Sequence, residues 1–176
     1  MIRSREKGEG RREKIEGLLT RILKVSENDI HRIFEIEKEA FFPPWTYESL
    51  LSEVSREDSY FITAMDKYES GEFTTPEPSL RFLGYAILRQ IGDDGELLKI
   101  AVDKQSQRKG VGALLMAAVI EHAAEKAFKS IFLEVREMNA AAVKLYEKCG
   151  FDIIRVRKDY YNDPVEDALI MKKECQ

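Results

Sequence analysis

One stretch constrains this chain more than any other: residues 96–136, where a strand-like run, a two-glycine turn, a long helical pattern and a second apolar run follow one another. Residues 96–102 alternate and then turn apolar at Ile100-Ala101-Val102, which predicts a strand. Residues 110–127 place Val111, Leu114, Leu115, Ala118 and Val119 on one helical face. Residues 130–136 carry an isoleucine, phenylalanine, leucine and valine run that suits a buried parallel strand. A second helix opens at an Asn139 N-cap and closes with Gly150 in the C′ position, ahead of strands near 151–157 and 167–172. The C-terminal half therefore reads βαβαββ, an α/β arrangement.

The turn Gln107-Arg108-Lys109-Gly110-Val111-Gly112 has its glycines where the backbone enters the helix. Glycine lets a ligand approach the main chain, and the free amides and partial positive charge of a helix N-terminus suit an anionic phosphate. Arg108 and Lys109 add cationic groups there. A Walker A loop needs Gly-Lys-Ser/Thr after its four-residue gap, and a dinucleotide fingerprint needs a third small residue where this chain has Leu115. With both excluded, a different phosphate ligand and a purely structural βα turn remain open.

The N-terminal half follows the same logic. Residues 29–42 place Ile30, Ile33, Phe34, Ile36, Ala40 and Phe41 at helical spacing, and Pro43-Pro44 ends the helix. Thr46 then caps a short helix to about residue 54, with Trp45 just ahead of it. Residues 60–65 and 82–88 read as strands, separated by a long polar loop over 66–81. A chain of 176 residues, 44% hydrophobic, builds one core. We therefore expect a single domain over 25–174, preceded by a charged leader over 1–24, flexible or helical. That leader holds eight Lys or Arg against four Glu within a chain of net charge −4, so the body is acidic. Nucleic acid is not expected as a partner except through this leader. No apolar run reaches the roughly 18–20 residues that span a bilayer, and the opening residues lack a secretory signal's apolar stretch. The expectation is a cytoplasmic protein without membrane contact. Cys149 and Cys175 show no metal-like pairing, and no metal is expected.

Glu134 stands in the middle of Ile131-Phe132-Leu133-Glu134-Val135, where a carboxylate is either ion-paired or chemically employed. In a partly desolvated cleft it would serve as a general base near neutral pH. Tyr146 lies about two turns into the following helix, on the face of Val143 and Cys149. It is either a core aromatic or a phenol able to protonate a leaving group. Asn139 is an N-cap whose side chain could also face a ligand.

Gln107-x-x-Gly110-x-Gly112 after an apolar strand resembles the acyl-CoA pyrophosphate loop of the GNAT superfamily of N-acyltransferases. Glu134-Val135-Arg136, Asn139-Ala140-Ala141-Ala142, Leu145-Tyr146-Glu147 and Gly150-Phe151 together resemble the signature of ribosomal-protein-alanine N-acetyltransferases within that superfamily. Phe42-Pro43-Pro44-Trp45 is similar to that family's substrate-side corner, and Tyr160-Tyr161 with Glu166-Asp167-Ala168 to its late hairpin. The resemblance runs over about residues 30–172. It implies a central mixed, twisted sheet of about six to seven strands flanked by about four helices. It also implies acetyl-CoA as co-substrate, bound by Ile100, Ala101, Val102, Gln107, Arg108, Lys109, Gly110, Val111, Gly112, Ala113 and Asn139. Glu134 matches the family's base and Tyr146 its acid, with Phe42, Pro44, Trp45, Tyr160 and Tyr161 on the acceptor side. The acceptor it implies is the N-terminal alanine of a small-subunit ribosomal protein. Three features depart from the pattern: the leader, the long 66–81 loop, and Lys99, where a small polar residue is expected. Acetylation of a lysine side chain or small amine is the alternative with the same donor chemistry, and a non-catalytic CoA-sensing or RNA-associated module is the alternative of a different class.

Overall fold

The computed structural model describes residues 12–15, 18–67 and 80–175. Its strands are β1 (Arg12–Ile15), β2 (Leu18–Lys24), β3 (Ser59–Lys67), β4 (Leu80–Ile91), β5 (Asp94–Val102), β6 (Ser130–Arg136), β7 (Asp152–Asn162) and β8 (Val165–Glu174). Its helices are α1 (Ile30–Ala40), α2 (Tyr47–Val54), α3 (Val111–Glu125) and α4 (Ala140–Lys148). The strands form one sheet in the order β1-β2-β3-β4-β5-β6-β8-β7, antiparallel except where β5 meets β6. The six strands from β3 to β8 and the four helices fulfil the expected architecture.

The leader is the correction. Leu18–Lys24 is neither loose nor helical: it pairs antiparallel with β3 from Thr20↔Asp66 to Lys24↔Ile62 and sends Ile22 into the core. The domain therefore begins by residue 18, and β1 adds an eighth strand. Alternating Leu and Ile among Arg and Lys is strand chemistry that a charge count conceals. Residues 1–11 and most of the 66–81 loop lie outside the described residues.

The sheet is covered on both faces. On one, α3 packs Leu114, Leu115, Met116 and Val119 against Ile62, Leu88, Ile131 and Leu133, and α4 adds Tyr146. On the other, α1 and α2 bring Ile30, Ile33, Ile36 and Leu50 against Phe61, Tyr85, Ile87 and Ala101. Local signals set the helix ends. Thr46 Oγ1 accepts from the Ser49 amide, as an N-cap should. Asn139 Oδ1 does the same for Ala142. Gly150 takes φ +83 after α4, a left-handed C′ position.

One irregularity shapes the whole molecule. β4 and β5 pair from Gly84↔Val102 to Ile87↔Lys99, then resume at Leu88↔Leu97, which leaves Leu98 as an extra residue in β5. Such a bulge bends its strand. β5 and β6 are paired only over Gly95–Leu97 and Ile131–Leu133, and beyond that point they diverge. A slot opens through the sheet between their unpaired edges.

Candidate active site

The slot has a volume of about 680 Å³, and both faces of the sheet contribute to its walls. Its floor is Leu98, Lys99, Ile100 and Val102 from β5 facing Glu134, Val135 and Arg136 from β6. Gly112, Asn139, Ala142, Leu145 and Tyr146 close one end, while Phe41, Phe42, Pro43 and Trp45 close the other opposite Tyr160 and Tyr161. Residues read from three separate sequence motifs thus surround one cavity.

The helix end beside the slot is arranged as the two-glycine turn predicts. Arg108 and Gly110 have φ of +62 and +85, so the chain reverses sharply into α3. The first bond of the α3 ladder is Leu114 N–H to Gly110 O, at 3.0 Å, so the amides of Val111, Gly112 and Ala113 precede it and have no partner within the helix. Gln107 Nε2 donates to Val102 O at 3.3 Å and ties the turn to the strand end. Gly112 keeps the passage open: a Cβ there would stand 3.2 Å from Leu145 Cδ2. These features fit an extended ligand with a phosphate at the turn and an apolar arm along the slot. The Val111 side chain is buried in the core and that of Ala101 in the opposite cluster, and neither residue lines the slot. Arg108 and Lys109 are exposed outside it, and Pro44 does not line it whereas Pro43 does.

Glu134 sits on β6 opposite Ile170 of β8, with its side chain 30% exposed. Its carboxylate is ion-paired with Arg157, the plainer of the two alternatives its sequence context left open. The Tyr160 hydroxyl donates to the same carboxylate, which holds that phenol above its ordinary pKa. Both partners come from β7, whose pairing with β8 is interrupted between Arg157 and Tyr161. That irregularity turns Tyr160 and Tyr161 toward the slot. Arg136 braces them: its guanidinium lies 4.0 Å from the Tyr161 ring and bonds Glu166 at 3.0 Å and Asp163 O at 3.1 Å.

Tyr146 is 6% exposed yet lines the slot from the α4 side. Burial pushes its phenol well above the ordinary range, so it remains protonated throughout the physiological span. A carboxylate and a protonated phenol thus flank one cavity from opposite elements, the pairing required for removing one proton and supplying another.

Two features escaped the sequence reading. Arg157 was not singled out at all. Glu37 was not singled out either, although it lies three and four residues from Ala40 and Ile33 on the apolar stripe of α1. It is fully buried.

Residues 29–151 match the acetyltransferase (GNAT) family. The [ribosomal protein bS18]-alanine N-acetyltransferase of Haemophilus ducreyi is 32% identical over 150 residues, which span 84% of this chain and 94% of that protein. The crystal structure of the ribosomal-protein-S18-alanine N-acetyltransferase from Escherichia coli superposes with a TM-score of 0.73 at 29% identity, covering 89% of this chain and 94% of that one. The PaiA N-acetyltransferase from Thermoplasma acidophilum, solved in complex with coenzyme A, shares the fold with a TM-score of 0.65 at 20% identity, covering 88% and 98%.

Proposed function

Because this chain belongs to the acetyltransferase (GNAT) family and is an N-acetyltransferase, we propose that it acetylates the N-terminal α-amine of a protein, namely the N-terminal alanine of a small-subunit ribosomal protein. The supporting observation is the slot itself, which has Glu134, Tyr146 and the Tyr160-Tyr161 pair around one cavity that is open to both faces of the sheet. The donor thioester enters beside the turn of α3, and the acceptor from the side of Phe42, Trp45 and Tyr160.

Acetyl-CoA, the co-substrate of this family, supplies an activated acyl carbon. Ile100, Val102, the first-turn amides of α3 and Asn139 would hold it. Glu134 takes the proton of the acceptor amine, directly or through one water, and its ion pair with Arg157 keeps the carboxylate in place. Tyr146 gives its proton to the sulfur as the C–S bond breaks. Backbone N–H groups near Ile100, freed on the edge that β6 leaves, polarise the acyl oxygen.

The character of the base supports this acceptor class. An α-amine has a pKa near 8 and a lysine amine one near 10.4, so freeing the lysine costs about 3.4 kcal/mol more at neutral pH. One ion-paired carboxylate suits the easier task. Glu134→Gln and Tyr146→Phe should each lower kcat by about 10²–10⁴-fold with little change in acetyl-CoA affinity. Full turnover in either variant removes that residue from its role.

A further inference from the structure

Glu37 is a buried carboxylate on α1 that collects three donors from three other parts of the chain. Its Oε1 accepts from Lys99 Nζ at 2.8 Å and from the Trp45 amide at 2.7 Å, and its Oε2 accepts from the Tyr85 hydroxyl. Lys99 comes from β5 immediately after the bulge, and its side chain is only 10% exposed. Its ammonium lies 3.7 Å from the centre of the Phe41 ring and 5.2 Å from that of Trp45. Phe41, Trp45 and Lys99 all line the acceptor end of the slot. A buried charge is costly unless fully paired, and here the pairing fastens the loop between α1 and α2 directly to the strand under the acyl group.

We infer that Glu37 and Lys99 form a clamp that fixes the 41–45 corner against β5 and thereby sets the size of the pocket for the acceptor's first side chain. This rests on the proposed N-terminal reading, since it assigns to the corner the side chain that follows the reacting amine. Lys99 and Glu37 are positioning residues in this account. They act through Phe41 and Trp45, which a ring–cation contact and a backbone hydrogen bond hold in one place. A wall fixed in this way admits alanine and resists leucine, because a close-packed apolar wall discriminates by about one to two orders of magnitude per misfitting group.

The test compares the wild type with Lys99→Met, which keeps length and removes charge, and with the double variant Lys99→Met/Glu37→Gln, which leaves no unpaired buried charge. Two readouts are needed. The first is the ratio of kcat/KM for a leucine-start peptide to that for an alanine-start peptide, expected to rise about tenfold in both variants while acetyl-CoA KM holds. The second is acrylamide quenching of Trp45, the sole tryptophan, expected to increase in both as the corner loosens. A purely structural role would lower turnover on all acceptors alike, so an unchanged ratio in a folded double variant overturns the inference, as does unchanged quenching. Wild-type enzyme that acetylates no peptide N-terminus would instead overturn the proposed function, and the quenching arm would still test the clamp.

Discussion

Gly84 is the position where the frame and the slot are most tightly coupled. It pairs with Val102 across β4 and β5, and its carbonyl accepts a 2.8 Å bond from the Thr63 hydroxyl. A Cβ built on it would stand 2.4 Å from Ala101 O and 3.0 Å from Val102 Cα. An ordinary carbon–oxygen contact is about 3.3 Å, so Gly84→Ala falls short by about 0.9 Å, and the obstructing atoms are backbone. The strands must part at the point where Val102 lines the slot. Overpacking of this kind costs about 2–3 kcal/mol, which for a chain of this size lowers the melting temperature by about 4–12 °C. A displacement approaching 1 Å in the strand that holds the donor should also weaken acetyl-CoA binding by about tenfold or more. Thermal unfolding and titration calorimetry with CoA measure the two effects. Gly92→Ala is the control: its Cβ would meet nothing within 4 Å, so only the strain of φ +61 remains, about 1–2 kcal/mol with CoA affinity intact. A Gly84→Ala protein with wild-type melting temperature and CoA affinity would refute the reasoning.

Three further outcomes are expected. Gly110→Val forces a β-branched residue into φ +85 at the entry to α3 and should weaken CoA binding in calorimetry by more than its effect on peptide KM. His122 stacks on Tyr60 with centroids 3.7 Å apart, and burial, with help from Lys126 and Lys24, depresses its pKa to about 4. The unfolded chain, with a pKa near 6.5, binds that proton first, so stability is full above pH 6.5 and declines as pH falls toward 4. For a half-exposed ring the loss is about 1–2 kcal/mol, and His122→Asn should flatten that part of a stability–pH curve measured by urea denaturation. Arg157→Met removes the ion pair that holds the Glu134 carboxylate beside the slot and should lower kcat at neutral pH by about tenfold while acetyl-CoA affinity holds; an unchanged kcat would separate Arg157 from the base.

Much of this architecture is legible in the sequence because its signals are local. The 3.6-residue stripe of α3, the Thr46 and Asn139 caps and the left-handed Gly150 all depend on neighbours within a turn or two, and each element forms within a few residues of its expected bounds. What escaped depends on distant parts of the chain. Nothing local in Leu18–Lys24 announces that β3 offers it an edge, and the interspersed Arg and Glu of residues 3–16 just before it make the whole leader resemble a solvated tail. The slot arises from a one-residue mismatch between β4 and β5, a property of pairing that neither strand carries alone. Lys99 was visible as an oddity, and its explanation, Glu37, lies 62 positions away. The same holds for Glu134: its place in an apolar run marked it, and the Arg157 that pairs with it is brought near only by the β7–β8 hairpin.

The most direct test of the central claim supplies acetyl-CoA with peptides that begin with alanine and contain an internal lysine, beside N-terminally blocked copies and small amines. Tandem mass spectrometry then locates the acetyl group. The expected result is modification of the alanine α-amine, none on the blocked copies, and loss of the reaction in Glu134→Gln. Acetyl groups on the lysine side chain or on small amines, with the α-amine untouched, would contradict it.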